Sequence, residues 1–343
     1  MTQHSNMLAA TIRAHGGPEV IQVEQLPIPS PPPGEVLLRV EATSLNYHDV
    51  FTRNGMPGIT IPFPMIMGID FAGEIVRAGD GVTDWACGQR VLVDPKDRLN
   101  GKDLMGETRP GGLAQYCNVP AHMLVSLPDS VTFDEAACLP VAYGTAHRMM
   151  ETIGAVRPGE RVLVLGASGG VGTGCVQIAK AQGAEVIACA STPAKLEKLR
   201  MLGADHLFDY TQGDLHKWVW DKFGKPHRRN ASGGVDVVIN FTGGNTWVPS
   251  LKCLRRQGRL LTCGATAGFD PLEDLRYIWT YELQIRGSNG WDRSDVESLL
   301  KMIEQHKISP PIDQVFPLAQ SSAALEYIER RQAFGKVIVR PWL

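Results

Sequence analysis

The most constraining feature of this sequence is a short aliphatic run that stops abruptly in glycines. The run RVLVLGASGGVG begins at Arg161, and a helical pattern, a second apolar run (EVIACAS) and a second helical pattern follow it. Strand, glycine turn, helix, strand and helix in this order predict a parallel sheet with connecting helices. The motif Ala167-x-Gly169-x-x-Gly172 lies in the turn. Such glycines let a backbone approach a pyrophosphate, and the following helix start offers unpaired N–H groups to its oxygens.

We therefore predict a dinucleotide site at this turn, the alternative being an ordinary glycine-rich connection. The residues expected to contact the cofactor there are Ala167, Ser168, Gly169, Gly170, Val171 and Gly172.

The end of the second strand predicts which dinucleotide binds. Proteins that prefer NAD place Asp or Glu about 20 residues after the motif, where it holds the ribose 2′-hydroxyl. This chain has Ser191, followed by Thr192 as a predicted N-cap and Pro193 as the first helical residue. Lys195 then falls in the first turn, where a cation opposes the helix dipole unless an anion lies beside it. We predict a 2′-phosphate and hence NADP(H), the alternative being a solvated surface lysine.

Composition excludes several classes of protein. The chain has 343 residues, of which 43% are apolar and 20% charged, which is typical of a globular protein of about two domains. A net charge of −2 does not indicate nucleic-acid binding, and there is no apolar run near the length of a membrane span. The seven cysteines are scattered without a CxxC pair, and the first residues do not resemble a signal peptide. These features predict a cytoplasmic protein with reduced thiols that binds neither nucleic acid nor membrane.

The order of the patterns predicts an interrupted domain. Short alternating runs separated by glycines fill the first part, and a helical pattern that Pro140 is expected to break begins near Ser130. The α/β pattern then runs to residue 289, and a helix and a final strand follow. We predict a β-rich domain of residues 1–128, to which residues 290–343 return, and a nucleotide-binding domain of residues 129–289.

A series of segments resembles one superfamily over nearly the whole chain. In order, these are GEVLLRV, LNYHD, MGIDFAGEIV, GQRVLV, GGLAQY, LPVAYGTA, GASGGVG and GKVIVRP. The series is similar to the medium-chain dehydrogenase/reductase superfamily. The resemblance implies an α/β protein in which a GroES-like β-barrel catalytic domain is interrupted by a Rossmann domain, commonly as a homodimer or homotetramer.

The resemblance also implies that no zinc is bound. Zinc alcohol dehydrogenases of this superfamily hold their catalytic metal with Cys, His and Cys, and this chain has Asn46, Ile69 and Val141 at those positions. Amide and aliphatic side chains do not replace thiolate and imidazole around Zn²⁺. The lobe with four structural cysteines in zinc relatives corresponds to residues 94–112, which contain none.

The remaining pattern is similar to the zinc-independent quinone oxidoreductases, which reduce quinones and α,β-unsaturated carbonyls with NADPH, and in places to acryloyl-CoA reductases. In that branch Lys, Tyr and a C-terminal Arg hold the 2′-phosphate, which implies Lys195, Tyr210 and Arg331 here, although Arg330 is adjacent. The other residues at matching or cleft positions are Thr145, Asn240, Phe241, Cys263, Gly264, Ala265, Ser288 and Asn289.

Two residues are candidates for catalysis, because the nicotinamide carries the redox chemistry and the protein has to stabilise developing oxyanion charge. Asn46 could donate its amide N–H to that oxygen or could simply satisfy loop backbone, and Tyr47 could donate a hydrogen bond or form an aromatic wall. His48 is a weaker candidate for proton delivery, since a surface or capped histidine is the better interpretation, and Asp49 is expected to fix the loop. Phe51, Met56, Ile59 and Phe63 could line an apolar pocket or belong to the core.

Four functions remain open from the sequence. The first is an NADPH-dependent enone or quinone reductase, and the second is an enoyl-CoA reductase of the acryloyl-CoA type. For the second, Arg53 and the basic loop 225–229 are candidates to meet CoA phosphates. An alcohol dehydrogenase of the same superfamily and a non-enzymatic NADPH-binding protein are the others.

Overall fold

The structure is a computed structural model that describes residues 6–101 and 103–343. The strands are β1 (Asn6–Ile12), β2 (Gln22–Pro27), β3 (Glu35–Leu45), β4 (Met65–Ile66), β5 (Asp70–Ala78), β6 (Arg90–Val93), β7 (Tyr116–Pro120), β8 (Leu124–Ser126), β9 (Arg161–Val164), β10 (Glu185–Ala190), β11 (His206–Asp209), β12 (Val235–Ile239), β13 (Leu254–Thr262), β14 (Gln284–Gly287), β15 (Ile312–Pro317) and β16 (Lys336–Arg340). The helices are α1 (Tyr47–Asn54), α2 (Phe133–Ala137), α3 (Thr145–His147), α4 (Gly170–Ala181), α5 (Pro193–Met201), α6 (Leu215–Phe223), α7 (Trp247–Cys253), α8 (Leu275–Tyr281), α9 (Arg293–Glu304) and α10 (Ser321–Glu329).

Two compact units divide the chain, Met1–Ala142 together with Val296–Leu343, and Tyr143–Asp295. The sequence patterns place the first boundary after residue 128 instead. The structure keeps the intervening stretch in the first unit because α2, which it contains, packs against β3 and β5. The second boundary falls within α9, a few residues beyond the predicted one.

The second unit is built on a six-stranded parallel sheet in the order β11-β10-β9-β12-β13-β14. β9 is central, and its residues Val162, Leu163 and Val164 are fully buried, as a run of aliphatic and β-branched residues predicts. The strand order reverses between β9 and β12. Open parallel sheets bind ligands at such a switch point, at the carboxyl ends of the strands. The α/β prediction is confirmed.

The first unit is mostly antiparallel. One sheet has the order β15-β16-β3-β5-β6-β8 with β7 also paired to β3, and a smaller sheet has the order β2-β1-β4. The C-terminal strand β16 lies antiparallel to β3, with Val337 opposite Leu45. The C-terminal segment, which the sequence predicts to return to the first domain, therefore does so by pairing β16 with β3.

The helical pattern that begins near Ser130 is interrupted near Pro140, as the sequence predicts. α2 ends at Ala137, and wide π-helical turns, Leu139–Gly144 and Arg148–Ile153, flank the short α3. Pro140 has no N–H to donate to a regular helical ladder, which accounts for the interruption near that residue. Within the described residues, no helix is long and apolar enough to cross a bilayer.

Candidate active site

The residues predicted to bind the cofactor in the second unit follow strand ends at one edge of the parallel sheet. The glycine turn follows β9, Ser191 follows β10 and Tyr210 follows β11. The other predicted residues after strands are Asn240 and Phe241 behind β12, Cys263, Gly264 and Ala265 behind β13, and Ser288 and Asn289 behind β14. Because all six strands are parallel, these positions share the carboxyl edge of the sheet, on both sides of the switch point.

The glycine turn shows two different reasons for a missing side chain. A Cβ on Gly172 would lie 2.3 Å from the Gly166 carbonyl oxygen and 2.6 Å from the Ala167 Cα, so close helix–strand packing requires this glycine. A Cβ on Gly169 would meet only the Gly166 oxygen, at 3.7 Å, and Gly169 has an ordinary φ of −86°. The protein's own packing therefore does not require Gly169, whereas close approach of a ligand would.

The helix start beside this turn suits phosphate oxygens. α4 begins at Gly170 with Gly169 as its N-cap, and no side chain caps it. Amide groups of the first helical turn have no partner within the helix and carry its positive dipole end. The Phe241 ring lies over the turn, since a Cβ on Gly166 would be 3.1 Å from its Cε2 atom.

The residues predicted to hold the 2′-phosphate in this unit follow two adjacent strands. Thr192 caps α5 by accepting a hydrogen bond from the Lys195 amide at 3.3 Å, and Pro193 is the first helical residue, so both predictions are confirmed. The Tyr210 amide donates to the Ala190 carbonyl oxygen at 3.3 Å, which places Tyr210 beside the end of β10. Ser191 is half-buried and Tyr210 is exposed. A serine, and no carboxylate, therefore occupies the position after β10.

Buried polar atoms mark the sheet edge beyond the switch point. The Asn240 Nδ2 atom donates to the Ser250 Oγ at 2.9 Å, and its Oδ1 atom accepts from the Thr242 and Gly243 amides at 3.0 Å each. The Asn240 side chain therefore stabilises the loop that follows β12. The Ser288 Oγ is buried and has no hydrogen-bond partner among the described residues. An orphaned hydroxyl at this edge fits a polar ligand group such as a carboxamide.

The remaining predicted positions contribute shape and packing. Thr145 is buried at the start of α3, which packs against α4. Gly264, Ala265 and Asn289 are exposed, and burial raises the pKa of the Cys263 thiol to about 12, so it stays protonated. Arg331 belongs to the first unit and lies after α10 with a positive φ of 56°.

A buried network surrounds Asn46, one of the residues that the resemblance aligns with a zinc ligand. The Lys336 ammonium, 2% exposed, donates to the Asn46 Oδ1 at 2.6 Å and to the Leu45 carbonyl oxygen at 2.9 Å. The Asn46 Nδ2 donates to the Asp70 Oδ2 at 2.9 Å and to the Ser44 carbonyl oxygen at 3.4 Å. Both amide hydrogens of Asn46 are therefore directed into the protein. Its role as an oxyanion donor stays a prediction, and it requires one of these bonds to be released.

Two buried carboxyl groups complete this network. Asp70 accepts from the Val141 amide at 3.1 Å, and burial raises the pKa of Asp70 to about 7 although the Lys336 charge and the Asn46 bond lower it. Asp49 accepts from the Asn46 amide at 2.8 Å and from the Ile69 amide at 3.2 Å. The expectation that Asp49 fixes this loop is confirmed. Among residues 6–101 and 103–343, no cluster of three His, Cys, Asp or Glu side chains suits a metal ion.

Two side chains in the first turn of α1, Tyr47 and His48, make contacts outside this network. The Tyr47 ring packs edge-on against Phe51, with centroids 5.2 Å apart. The His48 Nε2 lies 2.5 Å from the Glu107 Oε2, and the two side chains are 31% and 10% exposed. His48 is thus a paired residue and not a free surface histidine. Of the predicted pocket residues, Ile59 packs against the core and Phe63 against the His15 ring.

The structure does not support the expectation that Arg53 or loop 225–229 meets the phosphates of CoA. Arg53 is fully buried and donates to the Glu329 carboxylate at 2.9 Å, so it is already paired with an anion. Loop 225–229 precedes β12 and therefore lies at the amino edge of the sheet, opposite the predicted cofactor residues.

Sequence reasoning missed Lys336 and Glu107. Lys336 is the first residue of an otherwise aliphatic strand, and this position could have indicated a buried lysine. The sequence does not indicate its partner, Asn46, because that residue lies 290 positions away. Glu107 lies in a polar loop without periodicity, where no pattern marks it.

The fold and this edge define a dinucleotide-dependent oxidoreductase. Residues 170–305 match the family described as zinc-binding dehydrogenase, and residues 32–129 match the alcohol dehydrogenase GroES-like domain. Crotonyl-CoA reductase of Streptomyces collinus is 30% identical over 92% of this chain and 80% of its own length. The chain belongs to the medium-chain dehydrogenase/reductase superfamily, in its enoyl and quinone reductase branch. The resemblance seen in the sequence is confirmed.

Further similar proteins have related names. The 2-haloacrylate reductase of a Burkholderia sp is 29% identical over 98% of this chain and 99% of its own. A solved NAD-dependent alcohol dehydrogenase is 34% identical with a TM-score of 0.89, covering 97% of this chain and 99% of that one. A 2-octenoyl-CoA carboxylase reductase, solved with NADP and 2-octenoyl-CoA, is 28% identical with a TM-score of 0.86, covering 98% and 88%.

Proposed function

We propose that this protein uses NADPH to reduce the conjugated double bond of α,β-unsaturated carbonyl compounds, or quinones, without zinc. The observation that carries this proposal is the Lys336–Asn46–Asp70 network, in which an ammonium and a carboxyl group engage the amide of Asn46, a residue that the resemblance aligns with a zinc ligand. Hydride chemistry without a Lewis acid suits a conjugated acceptor, whose charge spreads onto an oxygen that hydrogen bonds can stabilise.

NADPH fits the residues at the carboxyl edge of the sheet. The turn at Gly169 leaves room for a pyrophosphate, and the start of α4 offers it amide groups. Ser191, Lys195 and Tyr210 would hold the 2′-phosphate, and the orphaned Ser288 hydroxyl would meet the carboxamide. The cofactor supplies the hydride when bound, and the chain's own residues orient the two partners and exclude water. The NADP complex of the octenoyl-CoA carboxylase reductase supports the same choice.

The names of the relatives support a conjugated substrate. Crotonyl-CoA reductase and 2-haloacrylate reductase are both named for a carbon–carbon double bond next to a carbonyl, one as a thioester and one as a free acid. An enoyl thioester remains a second candidate on that ground. The two basic groups first considered for a CoA phosphate do not favour it, because Arg53 is paired and loop 225–229 lies at the opposite sheet edge.

Two side chains would act near the substrate oxygen. Tyr47 is half-buried and keeps its hydroxyl as a possible donor, and Asn46 would donate if its bond to Ser44 or Asp70 opens. We also propose that the protein acts in the cytoplasm, on small molecules, as a homodimer or homotetramer.

The experiment that tests the cofactor assignment places a carboxylate after β10. In Ser191→Asp, repulsion should raise the Kd for NADPH by about tenfold, or about 1.4 kcal/mol, with little change for NADH. Ser191→Ala, which removes the hydroxyl without adding charge, is the matched control. Equal loss of both cofactors in Ser191→Asp, or a native preference for NADH, would contradict the assignment.

Two alternatives have their own tests. An alcohol dehydrogenase would oxidise ethanol with NAD and would contain stoichiometric zinc, and a solved relative named as such keeps this alternative in view. A non-enzymatic NADPH-binding protein would bind the cofactor but would not turn over phenanthrenequinone or any enone.

A further inference from the structure

The His48–Glu107 pair is built so that one imidazole nitrogen is anchored. Glu107 is nearly buried, in a loop held by the bond from its own amide to the Leu104 carbonyl oxygen at 3.2 Å. Its carboxylate accepts a hydrogen bond from the His48 Nε2 at 2.5 Å. His48 itself lies in the first turn of α1, directly after Asn46 and Tyr47, and keeps about a third of its side chain exposed.

Anchoring Nε2 decides which nitrogen titrates. A carboxylate that accepts from Nε2 keeps the proton on that atom, so the proton that comes and goes is carried by Nδ1. Within the described residues, no hydrogen bond to the His48 Nδ1 is found. The pair therefore presents one nitrogen that donates when the ring is charged and accepts when it is neutral.

Three carboxyl groups face the ring. Burial by itself lowers the pKa of His48, but the hydrogen bond with Glu107 and the charges of Glu107, Asp49 and Asp70 outweigh it, so the pKa of His48 is raised. Glu107 comes from a neighbouring loop, Asp49 from α1 itself and Asp70 from β5. These partners favour the protonated form of the ring, compared with an imidazole that lacks them.

The other polar side chains of the same hexad are already engaged. Asn46 directs both amide hydrogens into the protein, and Asp49 accepts from two backbone amides. The Tyr47 ring packs edge-on against Phe51 as part of an aromatic pair. His48 is the one of these groups whose chemistry suits delivery of a proton.

We propose that His48, anchored by Glu107, donates the proton that completes reduction of the conjugated double bond. This rests on the proposed function. Hydride addition at the β-carbon moves the double-bond electrons to the carbonyl oxygen and leaves an enolate. The Nδ1–H bond of the imidazolium then breaks as a C–H bond forms at the α-carbon, and neutral His48 regains a proton from solvent. Glu107 is a positioning residue in this step.

A proton donor fixed on one side of the substrate should protonate only one face of the enolate and so give one enantiomer of the product. Reduction of α-methylcyclohexenone creates a stereocentre at the α-carbon, and delivery from His48 should give one hand of the product. In His48→Gln the amide can still reach Glu107 but cannot deliver a proton, so the enolate takes its proton from water. We expect turnover to fall by about 100-fold or more and the product to approach a racemate.

The pH profile gives a second readout. Wild-type turnover of the enone should fall as pH rises through the pKa of His48, and Glu107→Gln should move that limb to lower pH because the main raising partner is lost. Turnover of phenanthrenequinone should fall much less in His48→Gln, because a hydroquinone oxygen exchanges protons with water rapidly. The matched control is His122→Gln, which breaks a comparable pair with Asp97 at 2.9 Å elsewhere in the unit.

The outcomes separate this role from the proposed function. Wild-type protein that consumes no NADPH with any enone or quinone overturns the proposed function and this role with it. Wild-type turnover together with an unchanged product hand and an unchanged pH limb in His48→Gln overturns the role alone. Binding of NADPH, followed by its fluorescence, should be the same in wild type, His48→Gln and His122→Gln, which excludes general unfolding as the cause.

Discussion

Asp70 shows how a single buried carboxyl group can shape the behaviour of the protein. It lies in the interior with Asn46 and the Val141 amide as hydrogen-bond donors, and Lys336 is the nearest cation of the network. Burial dominates, and the pKa of Asp70 rises to about 7. Its neighbour Asp49 is also buried with a raised pKa. This cluster is therefore sensitive to pH in the physiological range.

Stability should fall as pH rises because of Asp70. The folded pKa lies above the unfolded one, so the contribution is present below the ordinary Asp range and is lost as pH rises towards about 7. In Asp70→Asn, urea unfolding measured from pH 4 to 8 should show a flatter dependence of the unfolding free energy. Some slope remains from Asp49. The exposed Asp129→Asn is the control, and an unaltered slope in Asp70→Asn would contradict this explanation.

Lys336 should matter for stability as well as for the site. Lys336→Met keeps most of the length of the side chain but leaves the Asn46 Oδ1 and the Leu45 carbonyl oxygen without their donor. Removing one partner from a buried charged network costs about 3 kcal/mol. Chemical denaturation measures this loss. The exposed Lys217→Met, which loses only a surface ion pair, should change little, and equal midpoints for the two variants would argue against the network.

The turn between β9 and α4 contains one glycine that the fold requires and one that we propose is needed for cofactor binding. Gly172 is required by the packing of α4 on the preceding turn, whereas a Cβ on Gly169 would meet only one protein atom, in the space where we propose that a pyrophosphate binds. The two positions are three residues apart but should respond differently to the same substitution. This contrast separates a structural glycine from a binding one.

Alanine at each position tests that contrast. Gly172→Ala should destabilise the fold by about 1 to 3 kcal/mol, because its Cβ meets backbone atoms that cannot move aside. Gly169→Ala should leave the unfolding midpoint nearly unchanged but raise the Kd for NADPH by about tenfold. Thermal unfolding and fluorescence titration measure the two effects. A cofactor affinity unchanged by Gly169→Ala would remove the pyrophosphate from this turn.

Local patterns predict this element well and predict the first unit's site poorly. The β9 run, the Thr192 cap and Pro193 at the start of α5 follow from neighbouring residues, and the structure has them where the sequence places them. The Lys336–Asn46 and His48–Glu107 pairs join residues 290 and 59 positions apart. No local propensity predicts contacts between residues so far apart in the sequence, so the network and the pair are seen only in the folded unit.

At the scale of the whole molecule, the order of the segments carries the family assignment. A β-rich unit that begins and ends the chain encloses a parallel-sheet unit, and both match family descriptions of the same superfamily. One description names zinc, whereas the resemblance in the sequence implies that Asn46, Ile69 and Val141 replace the ligands of the catalytic zinc. The chemistry of a member of this family is therefore decided by a few side chains placed on a shared fold.

Product analysis with metal-depleted protein distinguishes zinc-free reduction of a conjugated double bond from zinc-dependent alcohol chemistry. The protein is dialysed against EDTA, its zinc content is measured, and it is given NADPH and α-methylcyclohexenone. We expect undiminished turnover, with one saturated ketone formed for each NADPH oxidised. Loss of activity that zinc restores, or an allylic alcohol as the product in place of the saturated ketone, would contradict this expectation.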